Sequence, residues 1–224
     1  IKLDSNELLV CTVQQALSVY RNNPKNYDWV PLKNIDKLSS ISGSGAGAVR
    51  SNGRFIAFYN FQKIKTNIQS SITKINQLLP QDSPYEVELN IDGVERPIII
   101  NVFGSVAGGT GSGMLIDTLC LVKEAVDTLA RKVNIYPWIL LPEVFRAMNN
   151  GPSMNNVLYN TYGALRSLDY LKHLNPGNQS AVNLGYAKLD EAPFDYAYII
   201  NNYNQTIDKI IPPIILFGNN NIFF

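Results

Sequence analysis

The sequence lacks the residues on which several common kinds of site depend. It holds a single histidine, His173, which is expected near a helix end, where it would bond carbonyl groups, so neither a histidine-based triad nor a histidine-based metal cluster is predicted. Only two cysteines are present, Cys11 and Cys120, and each lies among apolar neighbours. That placement predicts small buried side chains and no disulfide framework. A chain without disulfides is typical of a reducing, cytoplasmic location.

An excess of charge and a long apolar run are absent too. The 19 Lys and Arg residues balance 18 Asp and Glu residues, and a net charge of +1 predicts neither nucleic acid nor an anionic membrane as a partner. No apolar run reaches the ~20 residues of a membrane-spanning helix, so no membrane span is predicted. The sequence does not begin with methionine, and we expect it to be a fragment of a longer chain.

What is present is an alternation of apolar strands and amphipathic helices. Helical spacing of apolar residues predicts helices over 54–79, 115–129 and 153–174. Continuous apolar runs predict buried strands over 98–103 and in "VNIYPWILLP" and "FDYAYIINN". This order predicts an α/β fold with a mostly parallel sheet and helices on both faces. On the second helix, Asp117 and Glu124 are expected on a solvated face.

A glycine-rich turn, "GGTGSG" at 108–113, follows the first of these strands. Ligands of parallel sheets bind where strands end, and glycines there let backbone N–H groups approach phosphate. Thr110 and Ser112 add hydroxyl groups, and Ser112 could also cap the helix. The alternative is a turn whose glycines only allow close packing. A Walker loop is disfavoured because no lysine follows Gly113, and a dinucleotide fingerprint because the acidic residue it needs is missing.

Two segments resemble the tubulin and FtsZ family. "GSVAGGTGSGM" is similar to its Gly-Gly-Gly-Thr-Gly-Ser/Thr-Gly signature, with alanine at the first glycine, and "GSGAGAVRSNGR" resembles the FtsZ loop Gly-x-Gly-Ala-Gly-Ala, which is followed by a Gly-Arg that opens a helix. The resemblance implies that the earlier loop lies against the terminal phosphate of GTP, through Gly45, Ala46, Gly47 and Ala48. It implies that the later loop holds the other phosphates, through Ala107, Gly108, Gly109, Thr110, Gly111, Ser112 and Gly113.

The resemblance extends with less specific residues beyond these loops. It places Pro142 and Glu143 at the ribose, although a strand that simply ends at a proline explains them equally well. It places Asn202 at the guanine edge, with Asn201 as the alternative, because an amide offers both a donor and an acceptor. A turn residue is the competing interpretation of this asparagine.

The resemblance implies a Rossmann-like GTPase domain over 1–204 whose first strand and loop precede Ile1. Residues 205–224 would begin a following helix or second domain. The implied ligands are GTP or GDP, with Mg²⁺ allowed beside them, and the implied partners are other copies in a filament. The acidic loop that would activate water is not found, so no catalytic residue is assigned.

Two other functions stay open from the sequence. One is a non-polymerising binding or structural scaffold protein with the same fold. The other is a nicotinamide- or flavin-dependent enzyme of Rossmann type.

Overall fold

The computed structural model describes residues 8–41, 45–78, 97–129, 132–143, 154–174, 182–183, 188–189, 191–201, 214–217 and 222–223. The helices are α1 (Ala16–Asn22), α2 (Arg50–Tyr59), α3 (Phe61–Leu78), α4 (Gly109–Val126) and α5 (Met154–Lys172), with short 3-10 helices at Pro24–Tyr27, Leu32–Asn34 and Asp36–Ser40. The strands are β1 (Ile98–Ser105), β2 (Val133–Leu140), β3 (Val182–Asn183), β4 (Lys188–Leu189), β5 (Ala197–Ile200), β6 (Ile214–Phe217) and β7 (Ile222–Phe223).

The main sheet has the strand order β1-β2-β5-β6-β7. Strands β1, β2 and β5 are parallel, whereas β6 and β7 are antiparallel to their neighbours. Ser105 pairs with Leu140 and Leu140 with Ile200, so the carboxyl ends of the parallel strands meet at one edge. The predicted α/β fold with a mostly parallel sheet is therefore confirmed, and β6 and β7 extend that sheet from within residues 205–224.

The two faces of the sheet have different surroundings. One face carries Ile135, Ile139 and Ile199, which are buried in a common core with apolar side chains of α4 and α5. On the other face, the Trp138 ring stacks between Phe103 and Tyr198, and Phe103 is 68% exposed. In the part of the chain that the structure describes, the helices that pack on the sheet lie on the first face, and the layer predicted for the second face is not seen.

Helix α4 lies at the centre of the helical layer. Its side chains are buried on most sides because β1 and β2 lie against one side and α2, α3 and α5 against the others. Asp117, predicted on a solvated face, is only 2% exposed, so that prediction is wrong. Arg54 of α2 lies 3.8 Å from its carboxylate and supplies the partner that a buried charge requires. Glu124 is half-buried and pairs with Lys65 of α3.

The helix boundaries differ from the sequence predictions at two places. The helix predicted over 54–79 begins at Arg50 and is broken at Asn60, whose Nδ2 donates to the carbonyl groups of Ile56 and Thr12. A side-chain amide that bonds backbone carbonyls in this way competes with the helical ladder. The segment predicted as a turn, 108–113, is helical from Gly109 onward. Favourable packing of this segment outweighs the low helix propensity of its glycines.

Both cysteines are free thiols. Cys120 is fully buried in the main core and Cys11 is partly exposed, and burial raises the pKa of both thiols. Among the described helices, none combines the length and the apolar character that crossing a bilayer requires.

Candidate phosphate-binding site

Two glycine-rich segments meet at the edge of the sheet where the parallel strands end. We call residues 45–49 the first glycine loop and residues 105–113 the second glycine loop. The second loop leaves β1 at Ser105 and continues directly into α4. The backbone N–H of Ala46 donates to Thr110 Oγ1 at 3.3 Å, which joins the two loops across 64 residues of sequence. The structure thus brings together the two segments that the sequence singled out.

Several glycines of the second loop are required by packing alone. A Cβ at Gly109 would lie 2.4 Å from the Val49 nitrogen, and a Cβ at Gly113 would lie 2.3 Å from the Arg50 carbonyl oxygen. A Cβ at Gly111 would lie 2.0 Å from the Ser105 carbonyl oxygen. Such distances are far inside van der Waals contact. For these three positions the alternative interpretation, close packing of α4 against its neighbours, is sufficient.

Gly108 is different from these glycines. A Cβ built on it would have no heavy atom within 4 Å. Its backbone is extended, with φ −88° and ψ 167°, a conformation that any residue adopts. Neither packing nor conformation therefore requires glycine at this position. A bare backbone that faces open space suits the close approach of a ligand.

The electrostatics at the beginning of α4 favour an anion. No acidic residue lies in its first turn, and no side chain caps it. Within the described part of the chain, no acceptor binds the backbone N–H groups of Gly109, Thr110 and Gly111. These N–H groups and the helix dipole, equivalent to roughly half a positive charge, form an anion-binding arrangement. The predicted cap is wrong, because the buried Ser112 hydroxyl instead donates to the Gly108 carbonyl at 2.5 Å.

The first glycine loop has an unusual backbone. Gly45 and Gly47 have φ of +127° and +59°, where glycine is favoured. Ala48 has φ of +57°, although a Cβ costs roughly 1–2 kcal/mol in this region. A non-glycine residue in this conformation persists only where its surroundings hold it, and such residues are concentrated at binding sites.

Replacing Ala48 with glycine is expected to raise the free energy of unfolding by up to about 1 kcal/mol, because the left-handed strain is released. Urea denaturation measures this change. Ser71→Gly, at an exposed interior position of α3, is the control and should lower stability, since glycine is a poor helix former. Equal losses in both variants would contradict the strain at position 48.

Two buried asparagines hold the first glycine loop in place, and sequence reasoning missed both. Asn160 of α5 donates from Nδ2 to the carbonyl oxygens of Ala48 and Ala107, and its Oδ1 accepts the backbone N–H of Arg50. Asn52 of α2 donates to the carbonyl oxygen of Ala46. Asn160 thus bridges both glycine loops and caps α2 from another helix. No local motif marks either residue, because their partners lie far away in sequence or within a loop.

Of the remaining candidates, those that the structure describes lie at the same edge. Pro142 and Glu143 follow β2 after one intervening residue, Leu141, and Asn201 directly follows β5. Glu143 Oε2 and Asn201 Oδ1 are shielded from solvent without a hydrogen-bond partner among the described residues, which fits polar groups that await a ligand. Asn202 lies outside the described residues. The described residues contain no group of three or more His, Cys, Asp and Glu side chains placed to hold a metal ion.

Comparison with known proteins gives one family match, over residues 5–211. No curated protein and no solved structure matches the sequence. A family model described as "Tubulin like" matches residues 5–211, which include both glycine loops and every candidate site residue. The match covers well over half of the 224 residues, which is enough to establish family membership. The chain belongs to the tubulin-like family.

Proposed function

We propose that the protein binds GTP or GDP at the edge of the sheet where β1, β2 and β5 end. The carrying observation is Gly108, a glycine that neither packing nor conformation requires, beside uncapped N–H groups at the beginning of α4. The α and β phosphates would lie against the backbone of Gly108–Gly113. Because the Ser112 hydroxyl is used internally, we assign this contact to backbone groups. Mg²⁺ would accompany the phosphates.

The first glycine loop would lie against the γ phosphate and sense whether it is present. The Ala46–Thr110 hydrogen bond joins it to α4, and the Asn160–Ala48 hydrogen bond joins it to α5. A change of the loop at the phosphate would therefore move contacts with both α4 and α5. An ordered loop that depends on a γ phosphate is an established kind of switch. We place Glu143 and Pro142 at the ribose, and Asn202 or Asn201 at the guanine base.

The function that follows is nucleotide-controlled self-assembly into filaments, with GTP hydrolysis at the junction between copies. The neighbouring copy would supply the acidic group that activates water. The alternative within the same fold is a nucleotide-binding scaffold that does not polymerise. Membership of the tubulin-like family favours assembly.

Sedimentation distinguishes the two functions. With GTP or a slowly hydrolysed analogue, the protein should pellet above a critical concentration, and with GDP it should stay in the supernatant. No pelleting at any concentration would contradict assembly and favour the scaffold function.

Nucleotide released from the denatured protein is the second measurement. Guanine nucleotide is expected, whereas a dinucleotide would support an enzyme of Rossmann type.

Replacing Gly108 with valine is expected to weaken GDP binding tenfold or more, because the side chain fills the space beside the uncapped N–H groups. The fold should tolerate it, with a loss of less than about 1 kcal/mol for the poorer N-cap residue. Fluorescent GDP titration and urea denaturation measure the two quantities. Gly108→Ala should give a smaller loss of affinity. Unchanged affinity in the valine variant would contradict the proposed phosphate position.

A further inference from the structure

A groove of about 360 Å³ lies on the helical layer between α2, α4 and α5. Its volume is at the lower end of the range for small-molecule sites. Gly113, Ile116 and Asp117 of α4 line its floor, so it lies further along that helix than the phosphate-binding site. At 1.5 Å per residue, Asp117 lies about 13 Å beyond Gly108. The groove shares Gly113 with the second glycine loop, and its other lining residues lie outside both glycine loops.

The charge that lines the groove is strongly positive. Arg50, Arg54 and Arg166 face it, and Asp117 supplies the carboxylate. Arg54 pairs with this carboxylate and also stacks on the Trp29 ring at 4.4 Å. After this pair is subtracted, the guanidinium groups of Arg50 and Arg166 remain as excess positive charge.

Arg50 is held in a fixed orientation by uncharged acceptors. Its Nε donates to the Ser112 carbonyl at 3.1 Å, and its Nη2 donates to the Ser167 hydroxyl at 2.9 Å. Burial lowers the pKa of Arg50, and the neighbouring Arg54 lowers it further, against the opposing effect of Asp117. An arginine nevertheless stays charged at neutral pH. A partly buried cation whose hydrogen bonds end on neutral groups would gain from an anion.

The walls of the groove are largely apolar. Ile116 and Leu171 present buried side chains, and the Tyr170 ring is 54% exposed beside them. Arg166 is exposed at the rim, where its Nη1 donates to the Tyr162 hydroxyl. A ligand that satisfies both features has an anionic group for the guanidinium groups and an apolar or aromatic body for Ile116 and Tyr170.

We propose that this groove is a second binding site, for a small organic anion that carries a phosphate or carboxylate group on an apolar body. The anionic group lies between Arg50 and Arg166. The body lies against Ile116, Tyr170 and Leu171. Binding here needs no nucleotide, so it does not depend on the function proposed above.

Titration of ¹⁵N-labelled, nucleotide-free protein with phenyl phosphate tests this site. The amide resonance of Gly163, which lines the groove on α5, should shift and saturate. Arg166→Gln should weaken binding about fivefold or more, because a charge-assisted contact is lost while the exposed position leaves the fold intact. Arg21→Gln, an equal loss of charge on the exposed side of α1, is the matched control and should bind as the unchanged protein does.

Three results would overturn the proposal. Equal weakening by Arg166→Gln and Arg21→Gln would reduce the effect to general charge attraction. Shifts confined to Gly108–Gly111, with Gly163 unmoved, would place the probe in the second glycine loop only. If inorganic phosphate binds as tightly as phenyl phosphate, the apolar body adds nothing to the affinity, which contradicts the proposed ligand. The Gly108→Val variant should retain the Gly163 titration, which keeps failure of this site distinct from failure of nucleotide binding.

Discussion

Replacing Gly113 with alanine is expected to lower the free energy of unfolding by about 3 kcal/mol, one of the largest effects of a single methyl group in this chain. The added Cβ would lie 2.3 Å from the Arg50 carbonyl oxygen and 2.5 Å from the Arg54 nitrogen. Both atoms belong to the backbone of α2, so no side-chain rotation relieves the contact. Helices α2 and α4 would have to separate, and the Arg54–Asp117 pair would be strained with them.

Urea denaturation of Gly113→Ala beside Gly108→Ala measures this effect with a matched control. The same methyl group at Gly108 meets no atom within 4 Å, and we expect a change of less than about 1 kcal/mol there. Similar stabilities of the two variants would contradict the close approach of α2 to α4. Alanine is a better helix former than glycine by roughly 1 kcal/mol, so the steric penalty at Gly113 must exceed that gain to be observed.

Replacing Asn160 with alanine is expected to cost about 3 kcal/mol as well, because one buried amide satisfies three backbone groups. Its Nδ2 lies 2.9 Å from the Ala48 carbonyl oxygen and 3.3 Å from that of Ala107, and its Oδ1 lies 3.2 Å from the Arg50 nitrogen. Asn160 is only 5% exposed, so truncation to alanine would leave these three backbone groups buried without a hydrogen-bond partner.

Asn156→Ala is the control, since the same substitution on the exposed side of α5 should change stability by less than about 0.5 kcal/mol. Hydrogen exchange gives a second readout at one atom. The Arg50 amide, whose proton is donated to Asn160, should exchange about tenfold faster or more in Asn160→Ala and unchanged in Asn156→Ala. An unchanged exchange rate at Arg50 in both variants would contradict the role of Asn160 in capping α2.

The sequence predicted strands and helices well where periodicity is strong. Strand β1 was predicted over 98–103 and runs to Ser105, and the helix predicted over 153–174 is α5, Met154–Lys172. The helix boundaries predicted from the sequence were wrong at Asn60 and at 109–113, where local propensity and tertiary packing disagree. The sequence prediction also failed at Asp117, because burial of that side chain depends on α2, which is distant in sequence.

The sequence by itself determined the α/β class, the order of the elements and the two glycine segments, because hydrophobic periodicity and glycine placement are local properties of a chain. Only the tertiary structure decided what each glycine is for. Gly109, Gly111 and Gly113 let backbones from distant segments approach, whereas Gly108 faces open space. Asn160, which lies 112 residues from Ala48, became part of the site only through folding. Such roles depend on contacts between distant segments, and no spacing along the chain encodes them.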